Sequence, residues 1–491
     1  MTDPTAERIV VDAVPKQLFV DGSWVDAENG ASFEVVDPST GTVLCSVADA
    51  SPADGIRALR AAAAAQASFA ALEPRQRSDM LMTAFRLLHE RIDDLALLMT
   101  LEMGKPLAES RGEIVYAAEF LRHFAEEAVR VDGGYQVAPA GGTRFLVAKQ
   151  PVGPCLLITP WNFPMAMGTR KIGPALAAGC TSVIKPAGQT PLSMLALVGI
   201  LSEAGVPDGV VNVVTTTSSG DVMEPLIRSG LARKLSFTGS TAVGRKLLEQ
   251  CADKVLRTSM ELGGNAPFIV FADADLDAAV EGALAAKMRN SGEACTAANR
   301  LYVHGDVIDD FGRRLASRMS ELPVGRGVED GVRVGPLIDE VARDKVQTLV
   351  DDALAQGAQV LTGGHPLDGA GYFYPPTVLT GVPDSARMRH EEIFGPVAPL
   401  SAFSTEEQVV AAANDTEYGL VGFVYTNDLS RAFRVAEALE SGMVGLNQGV
   451  VSNPAAPFGG VKSSGLGREG GAAGIEEYLE TKYIGITLGT P

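Results

Sequence analysis

Three residues in this 491-residue chain are of types that could carry nucleophilic chemistry. Cys295 lies in NSGEACTAANR among small and polar neighbours, whereas Cys155 opens an apolar run. A lone cysteine is most often a buried structural residue, and a reactive one needs a lowered pKa or a nearby base. Glu261, in MELGGN, ends a short strand-like run and is followed by Gly263 and Gly264. A carboxylate there suits a general base at a cleft, or simply a charged strand end. Asn162, in PWNFPMAMGTRK, sits in a proline-stiffened loop, where its amide can donate to a developing oxyanion or serve a tight turn. FTGSTAVGRK carries Gly239, Ser240 and Gly244 between a strand-like and a helix-like stretch. That is either a phosphate cradle at a helix N-terminus or a plain strand–helix turn. It lacks GxGxxG, and Arg245 stands where an ATPase loop needs lysine. EEIFGP (391–396) and APFGGVKSSGLGRE (456–469) add acidic and aromatic residues in rigid loops.

The elements that must position these residues alternate. CLLIT (155–159), TSVIK (181–185), VVNVVT (210–215), LSFT (235–238) and SMEL (259–262) read as strands, with helical pieces such as 190–201 and 241–250 between them. This predicts βαβ units and a parallel sheet covered on both faces, which binds ligands at the carboxyl ends of its strands. A second alternating block runs from about 265 to 450, through FIVF and RLYVH, so two α/β domains sharing a cleft are expected. Residues 51–104 read as helices, opened by a Ser51–Asp54 capping box and Pro52 and closed at Gly104. Residues 133–150 suggest a hairpin around Gly141-Gly142. KYIGITL (482–488) is a strand without a sequence neighbour to pair with, a second subunit being one option.

Composition narrows the partners. With 60 acidic against 41 basic residues the formal charge is −19, which argues against nucleic acid and anionic membrane surfaces but not against an anionic small substrate. No stretch is long and apolar enough to span a bilayer, and the first twenty residues lack a signal-peptide pattern. Five scattered cysteines without CxxC, and five histidines without HExxH, predict no disulfide scaffold and no metal site; a reducing cytoplasm is expected. A thiol hydrolase or esterase built on Cys295 is the alternative from another class. It would call for a histidine base, and the nearest in sequence, His304, has no supporting motif.

PWNFP, KPA, FTGS, ELGG, a Cys downstream of that Glu, EEIFGP and PFGGxKxSGxGRE occur together, over essentially the whole chain, in the order that resembles the NAD(P)-dependent aldehyde dehydrogenase superfamily. The resemblance implies an aldehyde dehydrogenase-like fold: two doubly wound α/β domains plus a small β oligomerisation element. The cofactor-binding domain would span 1–132 and 151–260, the catalytic domain 261–471, and the oligomerisation element of a homodimer or homotetramer 133–150 and 472–491. It also implies Cys295 as nucleophile, Asn162 and the Cys295 backbone N–H as oxyanion donors, and Glu261 as the base for hydrolysis. Trp161, Lys185, Gly239, Ser240, Glu392 and Phe394 would hold the cofactor. Gly188 stands where NAD-preferring relatives carry a ribose-binding Glu, so NADP is expected to be used at least as well as NAD.

Within the superfamily the pattern is most similar to the subgroup acting on succinate semialdehyde, through PWNFPMAMGTRK, KMRNSGEAC, VVSNPAAPFGG and GIEEYLETKYIGI. By that resemblance Arg170, Arg289 and Ser452 clamp the substrate's distal carboxylate, two guanidinium groups being well suited to it. The resemblance suggests 4-aminobutyrate breakdown as the pathway, with glutarate semialdehyde or a neutral aldehyde as the alternative substrates. Three positions depart from the pattern. Glu293 replaces the usual Gln before the nucleophile and would raise the Cys295 pKa if it points inward; Ala297 removes a second cysteine that some relatives use as a redox switch; VVNVVTTTSSG lacks a customary Gly after its strand.

Overall fold

In the computed structural model, residues 4–488 are described. Local chemistry sets the helix boundaries. Ser51 Oγ accepts from the Asp54 N–H at 3.2 Å while the Asp54 carboxylate accepts from the Ser51 N–H at 2.9 Å, and Pro52 opens the helix Pro52–Ala70. The following helical stretch is two helices, Pro74–Glu90 and Ile92–Met103. The second closes on Gly104 at φ 90°, a left-handed cap that glycine adopts without a Cβ clash.

Among the described residues an eight-stranded sheet has a parallel core in the order Arg257–Glu261, Lys234–Thr238, Cys155–Ile158, Ser182–Lys185, Val211–Val213. Cys155–Ile158, Ser182–Lys185 and Lys234–Thr238 are buried along their whole length, which is why they read as continuous apolar runs rather than alternating ones. Antiparallel edges come from Leu18–Val20 with Ser23–Val25 on one side and Gly465–Leu466 on the other. Register matters more than order for the chemistry. Thr238 pairs with Glu261, Phe237 with Ile158, and Ile158 with Lys185, so all these strands end at one edge. That edge releases the Trp161–Asn162 loop, Gly239-Ser240 and Glu261 together.

A seven-stranded sheet, parallel except for Gln359–Thr362, is assembled from Thr377–Thr380, Val397–Phe403, Ala298–His304, Ala266–Val270, Val421–Tyr425 and Met443–Leu446. Only four residues separate Glu261 from Ala266, so the carboxyl edge of the first sheet runs straight into the amino edge of the second. Cys295 precedes the strand Ala298–His304, and Glu392 and Phe394 precede Val397–Phe403, at that same amino edge.

The stretch 133–150 forms the expected hairpin, Gly134–Val137 with Thr143–Pro151, turning through Gly141 and Gly142 at φ 77° and 75°. The tail strand Leu479–Thr487 finds its partner within the chain: it runs antiparallel to Thr143–Pro151 over its full length. Residues 489–491 of the expected oligomerisation element, and 1–3 of the expected cofactor domain, lie outside the described residues. Among those described, no helix is long and apolar enough to cross a membrane.

Candidate active site

A cleft of about 320 Å³ opens where the two sheet edges meet, and Cys295, Glu261 and Asn162 all line it. The nucleophile loop follows the helix Leu276–Met288 through three residues in the left-handed region: Asn290 (φ 53°), Ser291 (φ 53°) and Gly292 (φ 80°). For non-glycine residues that conformation costs about 1–2 kcal/mol each, so surrounding bonds must hold it. They do. Asn290 N–H donates to Glu109 Oε2 at 2.6 Å, and Asn290 Nδ2 donates to the Asn162 and Glu293 carbonyls, each at 3.0 Å. Asn162 Nδ2 donates one hydrogen to the Glu293 carbonyl at 2.9 Å, which fixes the amide and leaves its second N–H for the cleft. Lys105, paired with Glu113 at 2.5 Å, holds the Asn162 carbonyl at 2.7 Å. Gly264 permits the close approach of the two sheets, since a Cβ there would strike the Cys295 carbonyl oxygen.

Burial pushes the Cys295 thiol up to about 12. Arg170 and Arg289 pull it down, while Glu392 and Glu261 push it further up. Glu261 is 3% exposed, and neither of its carboxylate oxygens has a hydrogen-bond partner among the described residues. Burial first and the neighbouring Glu469 second hold its pKa well above the usual carboxylate range, against Lys171, Arg170 and Arg468. Glu469 in turn accepts from Lys171 Nζ at 2.5 Å, and Lys171 also donates to Ser236 Oγ at 3.0 Å. A buried line of ionisable groups thus runs from Glu261 through Glu469 to Lys171.

Glu293 does not point at the thiol. Its Oε1 accepts from the Ile338 N–H at 3.0 Å, its other oxygen is buried without a partner among the described residues, and it is not among the leading charges acting on Cys295. The expectation that it would raise the thiol pKa on turning inward is therefore not met. The left-handed turn aims its carbonyl at Asn162 and its side chain into the protein instead.

Ser240, with Gly239 before it, caps the helix Thr241–Ala252 and lines the cleft, so free N–H groups of that helix face it. Trp161 and Phe394 also line it, their rings edge to face with centroids 5.4 Å apart. Glu392 accepts from the Gly264 N–H at 3.2 Å, and burial raises it to about 7. Lys185 stands outside this cleft at the end of its strand. It is 6% exposed, has no ion pair among the described residues, and burial lowers its pKa to about 8. At Gly188 a Cβ would meet only the Thr216 carbonyl at 3.7 Å and Phe33 at 3.8 Å, ordinary contacts that leave the position open.

Arg170, Arg289 and Ser452 line the cleft as well. The two arginines differ in what they already hold. Arg170 is 2% exposed, donates to the Tyr116 oxygen at 2.6 Å, lies 3.7 Å from Glu469 and packs on the Phe458 ring at 4.1 Å. Burial works against its charge, yet Tyr116, Glu469, Cys295 and Glu261 together outweigh burial and its pKa is raised. Arg289 has no ion-pair partner among the described residues; its guanidinium lies over Phe163 at 4.8 Å and Tyr116 at 5.5 Å. No histidine lines the cleft among the described residues, and His304 bonds instead to the Ser404 carbonyl at 3.2 Å. Tyr116, Phe163, Lys171, Glu469 and Phe458 were not singled out by sequence reasoning. Lys171 and Glu469 sit inside quoted motifs, but Tyr116 carries no signal of its own.

Two sheets sharing a cleft with a cysteine, an amide and a buried carboxyl define the class. Residues 24–484 match the sequence profile of the aldehyde dehydrogenase family, and the chain belongs to that family. Among its relatives, a succinate-semialdehyde dehydrogenase of Paenarthrobacter nicotinovorans is 56% identical over 90% of this chain and 99% of its own length. A glutarate-semialdehyde dehydrogenase of Pseudomonas putida is 53% identical over 96% of this chain and 98% of its own. The crystal structure of an Escherichia coli NADP-dependent enzyme superposes with a TM-score of 0.96 at 53% identity, covering 97% of this chain and 99% of that one. The α/β fold is that of the family.

Proposed function

We propose that the protein oxidises succinate semialdehyde to succinate with NADP, NAD also being accepted. One observation carries this reading. The cleft joins Cys295, Asn162 and Glu261 to an unpaired guanidinium, that of Arg289, so a carbonyl and a distal carboxylate can be held at once. The relative that bears the name succinate-semialdehyde dehydrogenase supports the substrate. The glutarate-semialdehyde relative supports a one-carbon-longer substrate as the second reading.

The residues present fit a phosphorylated dinucleotide: an unpaired buried Lys185, open space at Gly188, the Gly239-Ser240 helix start, and Glu392 and Phe394 at the cleft. Bound there, the cofactor supplies a two-electron acceptor for hydride. Cys295 sulfur, once deprotonated, bonds to the aldehyde carbon, and the second Asn162 N–H and the Cys295 N–H stabilise the resulting oxyanion. Collapse of that oxyanion expels hydride and leaves a thioester on Cys295. Glu261 as carboxylate then takes a proton from water as its oxygen attacks the thioester; the acid leaves and the thiolate returns. The Glu469–Lys171 pair behind Glu261 offers a route for that proton away from the cleft.

Residues 1–132 with 151–260 serve the cofactor, 261–471 serve catalysis, and 133–150 with 472–491 serve assembly in this reading. Tyr135, Val137 and Tyr483 are more than half exposed on the three-stranded sheet, which supports a homodimer or homotetramer. A cytoplasmic enzyme of 4-aminobutyrate degradation is the setting we assign. The test is NADP and NAD reduction with C4 and C5 semialdehydes and neutral aldehydes, using Cys295→Ala as blank. The highest kcat/KM with succinate semialdehyde and NADP is expected; a neutral aldehyde as best substrate overturns the reading.

A further inference from the structure

Tyr116 stands on the helix Leu107–Ala128 and lines the cleft, although it lies nearly 180 residues from the nucleophile in sequence. Its oxygen accepts a hydrogen bond from Arg170 Nη2 at 2.6 Å. A phenol oxygen can accept and also donate its single hydrogen. With the guanidinium seated on a lone pair, the Tyr116 O–H remains to be donated, and no acceptor for it stands among the described residues. Arg170 itself is held in place: it is 2% exposed, within 3.7 Å of Glu469, and packed on Phe458 and Phe120, with only its Nε buried and unpartnered among the described residues. The Arg289 guanidinium carbon lies 5.5 Å from the centre of the same Tyr116 ring and makes no salt bridge among the described residues, Glu109 feeling its charge only at longer range. One cation without a salt bridge among the described residues and one polarised hydroxyl therefore share a wall of the cleft.

We propose that Tyr116 is a specificity-determining residue that donates its hydroxyl hydrogen to the distal carboxylate of the substrate. Arg170 polarises that O–H from behind, since donors in series strengthen one another, and Arg289 supplies the direct ion pair. Arg170 thus contributes to charge recognition through Tyr116 rather than as an independent arm of a clamp. The proposal rests on the reading of the substrate as a carboxylate-bearing aldehyde.

The test is Tyr116→Phe, which keeps the ring beneath Arg289 and removes only the hydroxyl. kcat/KM is measured for succinate semialdehyde and for butanal, the uncharged aldehyde of the same chain length, in wild type and variant. A hydrogen bond to a charged group predicts that the ratio of kcat/KM for the semialdehyde over butanal falls roughly 10- to 150-fold, chiefly through KM for the semialdehyde; any change in Cys295 through Arg170 is common to both and divides out. Weaker inhibition by succinate in the variant, with unchanged inhibition by butanamide, supports the same contact without turnover. An unchanged ratio between the two aldehydes overturns the role of Tyr116 while leaving the carboxylate reading intact. A wild-type enzyme that does not prefer the semialdehyde over butanal overturns the reading itself, and the proposal with it.

Discussion

Replacing Arg289 by alanine tests the substrate reading at its most exposed point. The guanidinium lies over Phe163 and Tyr116 without a salt bridge among the described residues, and the buried Glu109 that also feels its charge keeps Lys105, Arg333 and the Asn290 N–H, so its loss breaks no direct pair. Its bond to a substrate carboxylate is charge-assisted and contributes about 1.5–3 kcal/mol, equivalent to about a 10- to 150-fold fall in kcat/KM. A second effect runs alongside: Arg289 also favours the Cys295 thiolate, so every aldehyde should lose some rate. That loss is common to charged and neutral substrates and divides out of their ratio. The assay is therefore kcat/KM for succinate semialdehyde against butanal in wild type, Arg289→Ala and Arg289→Lys. The ratio should collapse in the alanine variant and stand between in the lysine variant, which keeps charge but loses the planar fork. An equal loss for both aldehydes would refute the carboxylate contact.

Other consequences are as direct. Glu261→Gln should leave acylation intact and slow hydrolysis by about 100- to 10,000-fold, visible as a burst of one reduced cofactor per site; a steady rate without a burst contradicts it. Cys295, pushed to about 12, and Glu261, raised well above the carboxylate range, must both lose a proton to act, so reactivity rises as pH rises. Alkylation of Cys295 by iodoacetamide in the cofactor-free enzyme should gain roughly tenfold per pH unit between about pH 6 and 9, and a plateau below pH 8 would contradict the burial argument. At Gly188 a Cβ meets only ordinary contacts, so Gly188→Glu introduces a carboxylate three residues after Lys185. It should lower kcat/KM with NADP on the order of tenfold or more while sparing NAD; no change in cofactor preference counts against the phosphate site.

What the sequence made legible was local or periodic. The Ser51–Asp54 capping box and Gly104 stop signal are short-range chemistry, and the runs at 155, 182 and 234 stand out because both faces of a parallel sheet are buried. The ordered motifs led to Cys295, Glu261 and Asn162, which the fold brings to one cleft. Pairings across hundreds of residues left no trace. Lys171 meets Glu469 at a separation of 298 residues, and the tail strand joins Thr143–Pro151 through backbone bonds that no side-chain pattern encodes. The direction of Glu293 depends on three successive left-handed residues, two of them not glycine, whose conformation is imposed by Glu109 and Asn162 from elsewhere in the chain. Tyr116 sits in an ordinary helical context, and only the packing of its helix against Arg170 gives its hydroxyl a task.

The central claim is that a carboxylate-bearing aldehyde becomes a thioester on Cys295. Glu261→Gln enzyme, mixed with succinate semialdehyde and NADP, quenched in acid and digested, should yield the Cys295 peptide carrying one succinyl group. Omitting NADP or substituting Cys295→Ala should abolish it. Cofactor reduction without any acyl group on that peptide, or an acyl group on another residue, would contradict the account.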